Sequence, residues 1–355
     1  MKKIVQIVES TATGTLSIAV MATNTQAKID DLVFIYSRRA ETPENIKGMF
    51  AQDIVLIEEN FEKSNFPFSI FTLRKHLKNI EPDVIHCHSS VAGFVGRLAS
   101  IGLKTKVFYS PHCISFMRKD INGLKTLLFK LFEVIACIKP STYIACSESE
   151  KYAIEKALPF AKVKLLENAV DLSDFTQNIK LKSNVENVHV KVITVGGIRP
   201  QKGAAEYAQL ANKFSQQNIE FIWVGDGNVE QKQVLLDAGV TVTGWMTRKD
   251  VIEELYKADL YVSTALWEGM PVSIIEACAA HLPVIARNCA GNKDIISSAK
   301  NGYLFDDTKQ CIDLITKYLA DPTTFEELAR CAHEQVFERF SLERFAKELD
   351  GIYKD

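Results

Sequence analysis

Short runs of aliphatic and β-branched residues alternate along the chain with stretches whose apolar positions recur every three or four residues. That alternation predicts parallel sheets covered by helices on both faces. In the first half the strand-like runs are Lys3 to Val8, Asp31 to Tyr36, Ile54 to Ile57, Val84 to Cys87, Lys106 to Ser110, Tyr143 to Cys146 and Val163 to Leu166. Helical patterns fill most of the gaps, and Ser147 and Glu150 stand at capping-box spacing directly after one run, marking a helix start. From Asn168 to Val188 the chain is polar and loses its periodicity, which predicts an interdomain linker. A second series then begins: Val190 to Val195, Phe221 to Val224, Val240 to Thr243, Asp259 to Ser263, Pro283 to Ala286 and Tyr303 to Phe305. Helical segments close the chain from Thr308 onward. The expected fold is α/β, with two doubly wound Rossmann-like domains facing each other across a cleft. Their bounds are 1–168 and 169–340, and a helix over 341–355 is expected to pack back on the first domain. Open α/β sheets bind ligands beyond the carboxyl ends of their strands, so the loops after strands are the places to search.

Composition narrows the class. With 355 residues, 47% hydrophobic and 24% charged, the chain is an ordinary globular one of two-domain length. Its 42 basic and 44 acidic residues give no strongly basic surface for nucleic acid. The halves differ, however: residues 1–170 hold 22 basic and 17 acidic side chains, which leaves 20 and 27 for the rest. The eight cysteines form no C-x-x-C pair and mostly sit in apolar runs, as expected of buried thiols in a reducing compartment. Met1-Lys2-Lys3 leads into an apolar run broken by Gln6 and Glu9, too short for a signal segment, and residues 10–27 are too polar to span a membrane. A cytoplasmic location is the expectation.

Several post-strand loops carry chemistry. Gly196-Gly197-Ile198-Arg199-Pro200-Gln201-Lys202-Gly203 places two cations and close-approach glycines before a helix start near Ala204, an arrangement suited to a diphosphate or to a solvated basic turn. Trp267-Glu268-Gly269-Met270-Pro271-Val272-Ser273 runs into a second helix that carries Glu276. Eight residues of helix span about 12 Å, too far for Glu268 and Glu276 to act on one bond, so they read as two acceptors along a polyhydroxy ligand. The backbone of Met270 to Ser273, at the helix start between them, could hold phosphate; solvated helix-start glutamates are the bland reading, better suited to Glu268 than to Glu276. Gly225 opens a tight turn after another strand, and Gly14 lies in the Ser10 to Thr15 loop where a small residue would admit a phosphate. His86 and His88 alternate with Cys87 and share a face, but lack a third metal ligand at convincing spacing. His112 follows a strand directly and suits contact with a transferred group. No D-x-D triplet occurs, which weakens any metal-bridged diphosphate mechanism and leaves cations and helix N-termini to stabilise a leaving phosphate.

One segment remains apart. Between Arg118 and Lys139 the leucines and phenylalanines are dense, with Lys119, Lys125 and Lys130 interspersed. A core-packing helix is the ordinary reading, and docking of 118–139 on an anionic membrane surface is the alternative.

Taken together, the Lys202 loop, the Glu268 and Glu276 pair and Asn168-Ala169-Val170-Asp171 closely resemble glycosyltransferase family 4, whose members have the GT-B fold. The resemblance covers nearly the whole chain and is strongest from Val190 to Phe305, where Glu268 to Glu276 matches the family's E-x7-E motif and Asn301 to Phe305 its closing strand. Val5 to Thr15 and Asp83 to Ala99 resemble the acceptor-side domain of bacterial polysaccharide-assembly members. The resemblance implies a retaining transferase that moves a hexose or N-acetylhexosamine from a nucleotide sugar, commonly UDP-linked, to a hydroxyl of a lipid-linked or oligosaccharide acceptor, without a metal or other cofactor. By position it puts Glu268 on the donor sugar, Glu276 on the ribose, Lys202 on the diphosphate, His112 near the reacting carbon and Gly14 beside the phosphate. The family often has Arg after the first loop glycine; this chain has Gly197 there, with Arg199 as the candidate substitute. A sugar-nucleotide epimerase of the same architecture predicts sugar conversion with no acceptor, and a carbohydrate- or nucleotide-binding module predicts binding without turnover. An NAD-dependent oxidoreductase is disfavoured, because no G-x-G-x-x-G follows the first strand of either half.

Overall fold

The apolar runs become the centres of two parallel sheets, buried on both faces as continuous hydrophobic strands must be. The computed structural model describes residues 1–11, 13–39, 42–51, 54–61, 66–175 and 189–355. Two compact units result: Met1–Asn168 together with Glu343–Asp355, and Ala169–Leu342.

The first unit holds β1 (Lys3–Val8), β2 (Asp31–Tyr36), β3 (Val55–Glu58), β4 (Val84–His88), β5 (Lys106–Ser110), β6 (Thr142–Ala145) and β7 (Lys162–Leu165), in the order β3-β2-β1-β4-β5-β6-β7. Every pairing is parallel. Its helices are α1 (Thr13–Gln26), α2 (Phe66–Ile80), α3 (Ser90–Ala99), α4 (Gly123–Ala136) and α5 (Glu148–Ala157). The second unit repeats the scheme with β8 (Val190–Val195), β9 (Ile219–Val224), β10 (Thr241–Val242), β11 (Leu260–Ser263), β12 (Val284–Arg287) and β13 (Tyr303–Phe305), ordered β10-β9-β8-β11-β12-β13. Around it lie α6 (Ala204–Lys213), α7 (Val229–Asp237), α8 (Arg248–Lys257), α9 (Val272–Ala279), α10 (Asn292–Ile295), α11 (Thr308–Ala320) and α12 (Thr323–Arg339). The last helix, α13 (Leu342–Lys354), places Phe345, Leu349, Ile352 and Tyr353 in buried positions, and Lys2 Nζ donates to the Tyr353 carbonyl at 3.2 Å.

Both sheets reverse their winding once, between β1 and β4 and between β8 and β11. A crevice opens at such switch points because the two connections leave to opposite faces. The loops after β8 and β11 carry Lys202 and Glu268, while β1 and β4 carry Gln6, His86 and His88.

Two expectations change, and a third falls largely outside the described residues. The loop expected over Ser10 to Thr15 is cut short, because α1 already begins at Thr13 and Gly14 stands in its first turn. The linker expected from Asn168 to Val188 lies outside the described residues from 176 on; before that, the Asp171 side chain accepts from Ser173 N at 3.0 Å and caps a 3-10 turn over Leu172–Asp174. The core-packing helix expected within 118–139 is not one: α4 buries only Glu133 and Ala136. Its burial is reversed in sign, with a charged residue inward and the leucines outward.

Candidate functional site

In the second unit, backbone geometry brings the two post-strand loops together. Gly203 adopts a left-handed φ of 72°, and a Cβ there would stand 2.2 Å from the Thr264 carbonyl oxygen, so only glycine allows this approach. Thr264 Oγ1 donates to the carbonyls of Lys202 and Gly203, both at 3.0 Å, and Leu266 N donates to the Gln201 carbonyl at 2.8 Å. The β8 loop is likewise locked to the β9 loop, since Ile198 N donates to Asp226 O at 2.8 Å and Trp223 Nε1 to Gly196 O at 2.8 Å. A Cβ on Gly225 would meet Gly196 O at 2.3 Å. The Gly225 turn therefore has a packing reason in the loop frame.

On this frame Lys202 Nζ lies 2.7 Å from Glu268 Oε1, and Gln201 Nε2 donates to Glu268 Oε2 at 3.0 Å. Glu268 is 7% exposed and is not the solvated helix-start residue of the bland reading. Burial pushes the Lys202 ammonium down, but the adjacent Glu268 carboxylate outweighs it and holds the group above its ordinary value. Lys202 is thus a fixed, fully charged cation. Gly291, which sequence reasoning missed, makes room for this glutamate: a Cβ there would lie 2.6 Å from Glu268 Cβ. Arg199 is exposed, its Nε lies 3.4 Å from where a Cβ on Gly197 would stand, and among the described residues it has no ion-pair partner. An unpaired guanidinium over a glycine, beside an ammonium, is a ready anion site.

After Glu268 come Gly269 and Met270, both buried, and Pro271, which precedes α9. Proline has no N–H, so the amide row expected over Met270 to Ser273 is interrupted. Val272 and Ser273 open α9, and their N–H groups find no backbone acceptor among the described residues.

Glu276 is also 7% exposed. Its Oε1 accepts from Arg248 Nη1, and Arg248 Nε donates to Asp174 Oδ2 at 2.9 Å. Burial holds the Glu276 carboxyl above its ordinary range, with Arg248 pulling it back. No motif spacing points to Arg248, which stands 28 residues from Glu276 on a different helix.

In the first unit the histidines form a continuous polar row. His86 and His88 face the same side of β4, with ring centroids 4.0 Å apart. Gln6 Nε2 donates to the Tyr353 hydroxyl at 3.1 Å, and its Oε1 lies 2.8 Å from His88 Nε2. An amide oxygen only accepts, so His88 Nε2 carries the proton and its Nδ1 is the acceptor for His112 Nε2, 2.9 Å away. His112 Nδ1 is thereby left as a bare acceptor. The same logic makes Tyr353 donate to His86 Nδ1 at 2.7 Å, and His86 Nε2 donate to Ser110 Oγ at 2.8 Å. Burial pushes His112 down to about 4 and His86 to about 3, so these rings are neutral near pH 7. His86, His88, Ser110, His112 and Phe345 border a small pocket.

His112 and Cys113 both have left-handed backbone, with φ of 54° and 89°. Side chains rarely adopt this, and the cause is Glu150, whose Oε1 accepts from Cys113 N at 2.7 Å and from Ile114 N at 2.8 Å. Its Oε2 accepts from Cys146 N at 2.9 Å. Only half of the expected capping box forms, because Ser147 Oγ accepts from Glu150 N while the Glu150 carboxylate is spent on the His112 turn. Gly14 is exposed, with nothing within 4 Å of an added Cβ. His281 stacks on His333 at a centroid distance of 3.3 Å.

Residues 26–174 match the model described as Glycosyltransferase Family 4, and residues 176–335 match Glycosyl transferases group 1. Among curated proteins the chain is similar to an Escherichia coli UDP-Gal:alpha-D-GlcNAc-diphosphoundecaprenol alpha-1,3-galactosyltransferase, at 27% identity with 81% of this chain and 79% of that protein covered. A putative teichuronic acid biosynthesis glycosyltransferase of Bacillus subtilis is 25% identical, over 78% of this chain and 72% of that one. Among solved structures, Anabaena HepE in complex with UDP and glucose superposes with a TM-score of 0.83 at 17% identity, all of both chains being covered. Sucrose-phosphate synthase from Thermosynechococcus elongatus gives 0.85 at 16%, over 100% of this chain and 98% of that one.

Proposed function

Because this chain belongs to glycosyltransferase family 4, we propose that it moves a hexose or N-acetylhexosamine, with retained anomeric configuration, from a UDP-linked donor to a hydroxyl of a lipid-linked surface polysaccharide precursor. The observation that carries the donor half is the juxtaposition of Lys202 with Glu268 at 2.7 Å, beside an exposed Arg199 that has no ion-pair partner among the described residues. Lys202 and Arg199 take the diphosphate, and the amides of Val272 and Ser273 add donors at a helix start. Glu268 accepts from hydroxyls of the donor sugar while its charge orients Lys202. Glu276 accepts from the ribose hydroxyls once Arg248 yields or shares its carboxylate. His112, neutral and with Nδ1 free to accept, takes a hydroxyl proton of the transferred sugar in a hydrogen bond.

In the reaction the bond between the anomeric carbon and the β-phosphate oxygen breaks. The acceptor oxygen bonds to that carbon on the same face, and its proton passes to the departing phosphate. Lys202 and Arg199 stabilise the charge that develops there, so no protein nucleophile and no metal are required. The polysaccharide and lipid parts of the proposal draw on the Escherichia coli and Bacillus subtilis relatives and their printed activities.

The test is transfer from UDP-galactose, UDP-glucose and UDP-N-acetylhexosamines to an N-acetylglucosamine-diphosphate-lipid, in chelator, with the product anomer read by NMR. One α-linked product from an α-linked donor supports the reading. A converted sugar nucleotide without acceptor would point to an epimerase, and tight donor binding without turnover to a binding module. Lys202→Ala should cost roughly 10- to 100-fold in rate, the value of a charge-assisted hydrogen bond.

A further inference from the structure

Helix α4 turns its apolar side outward. Leu124 is 76% exposed, Leu127 64%, Leu131 51% and Ile138, just past its end, 67%, with Leu128, Phe132, Val134 and Ile135 exposed as well. At about 100° per residue, Leu124, Leu127, Leu128, Leu131, Ile135 and Ile138 fall in one stripe, about 100° wide and centred opposite Glu133. The innermost contact is polar, with Glu133 accepting from Arg97 Nη2 at 2.6 Å and from Tyr143 Oη at 2.8 Å; among the described residues apolar contact is limited to Ala136, buried beside it, and the edge of the Phe132 ring on Phe94, with centroids 5.5 Å apart. An ordinary surface helix is glued by its leucines and wetted by its charges. Here the anchor is an ion pair, and among the described residues the leucines are left exposed.

The charge around the stripe is of one sign. Residues 118–139 contain five basic and two acidic side chains. Both acids are neutralised locally, Asp120 by Arg118 at 2.6 Å and Glu133 by Arg97. Lys119 and Lys125 are exposed, and Lys130 stands over the Phe116 ring. Long lysine stems can lie along an apolar surface while their ammonium groups reach outward to phosphates. A protein partner's interface core would instead be depleted in lysine.

We infer that α4 docks the first unit on an anionic bilayer surface, lying in the plane of the interface with the Leu124 to Ile138 stripe inserted among acyl chains and Lys119, Lys125 and Lys130 at the headgroup phosphates. The stripe is about 22 Å long at 1.5 Å per residue, which suits in-plane insertion. No helix among the described residues is long and apolar enough to cross a membrane, so this contact is peripheral. The docking stands independently of the transfer reaction, since it is read without turnover.

The test is flotation of the full chain with vesicles of phosphatidylcholine alone and of phosphatidylcholine mixed with phosphatidylglycerol, at low and high salt. Two double variants accompany it, Leu127→Glu with Leu131→Glu and Lys119→Glu with Lys125→Glu, each checked for an unchanged melting curve. The wild type should partition onto the anionic vesicles and be released by salt, and each variant should lose at least about tenfold in partitioning. Absence of binding to anionic vesicles, or equal binding by the leucine variant, would overturn the assignment. So would sedimentation equilibrium showing that the stripe is covered in a dimer that Leu127→Glu with Leu131→Glu dissociates.

Discussion

Arg97 on α3 and Glu133 on α4 form a buried ion pair, Nη2 to Oε2 at 2.6 Å, with the Arg97 guanidinium 4.4 Å from the Tyr109 ring centroid. Removing one member leaves the other charge buried and uncompensated. Glu133→Ala should therefore cost about 3–5 kcal/mol of stability by urea denaturation, several times more than an exposed α4 change such as Leu127→Ala. Equal effects of the two would show that the ion pair does not fasten α4.

The row from Tyr353 through Gln6 and His88 fixes which nitrogen of His112 bears the proton. Gln6→Leu removes the acceptor that orients His88, so His88 can take either neutral form and His112 loses its imposed tautomer. Nitrogen-15 imidazole shifts should report a pure Nε2–H His112 in the wild type and a mixture in Gln6→Leu. A mixture already present in the wild type would contradict the assignment.

Glu150 holds the left-handed His112 turn through amides of Cys113 and Ile114. Glu150→Gln keeps the shape but replaces one acceptor oxygen by an amide donor facing backbone N–H groups. Turnover should fall more than donor affinity, because this turn carries only the His112 contact to the transferred sugar, whereas the groups assigned to the diphosphate and ribose lie in the second unit. A rise in donor KM at constant kcat would assign Glu150 differently.

Glu276 carries a pH signature. Burial raises its folded pKa above the unfolded value of about 4.3, so the folded state binds that proton more tightly. The contribution of Glu276 to stability is thus greatest at low pH and declines as pH rises through the folded value. Arg248 opposes the shift, so Arg248→Ala should widen it and be more destabilising near pH 7.5 than near pH 5. Thermal melts of Arg248→Ala against wild type at the two pH values check this; an equal difference at both would contradict it.

The sheets were legible because a strand buried on both faces reads as a near-continuous apolar run, as Leu32 to Tyr36 and Phe221 to Val224 do. Lys202 and Glu268 were legible as well, since glycine-flanked loops after strands leave a local mark. Arg248 was not: its partner Glu276 is on another helix, and no local pattern encodes the meeting. The orientation of α4 was hidden for a different reason. A leucine stripe shows which face is apolar but not which way it points, and the deciding group, Arg97, lies 36 residues from Glu133 on another helix.

The central claim, that Lys202 and Glu276 are the anchors of a nucleoside diphosphate donor, is tested most directly by calorimetric titration of UDP into the metal-free protein. The wild type should bind, and Lys202→Ala and Glu276→Ala should each weaken binding by about 10- to 100-fold, the worth of one charge-assisted hydrogen bond. Failure of the wild type to bind UDP, or equal affinity in all three proteins, would contradict the account.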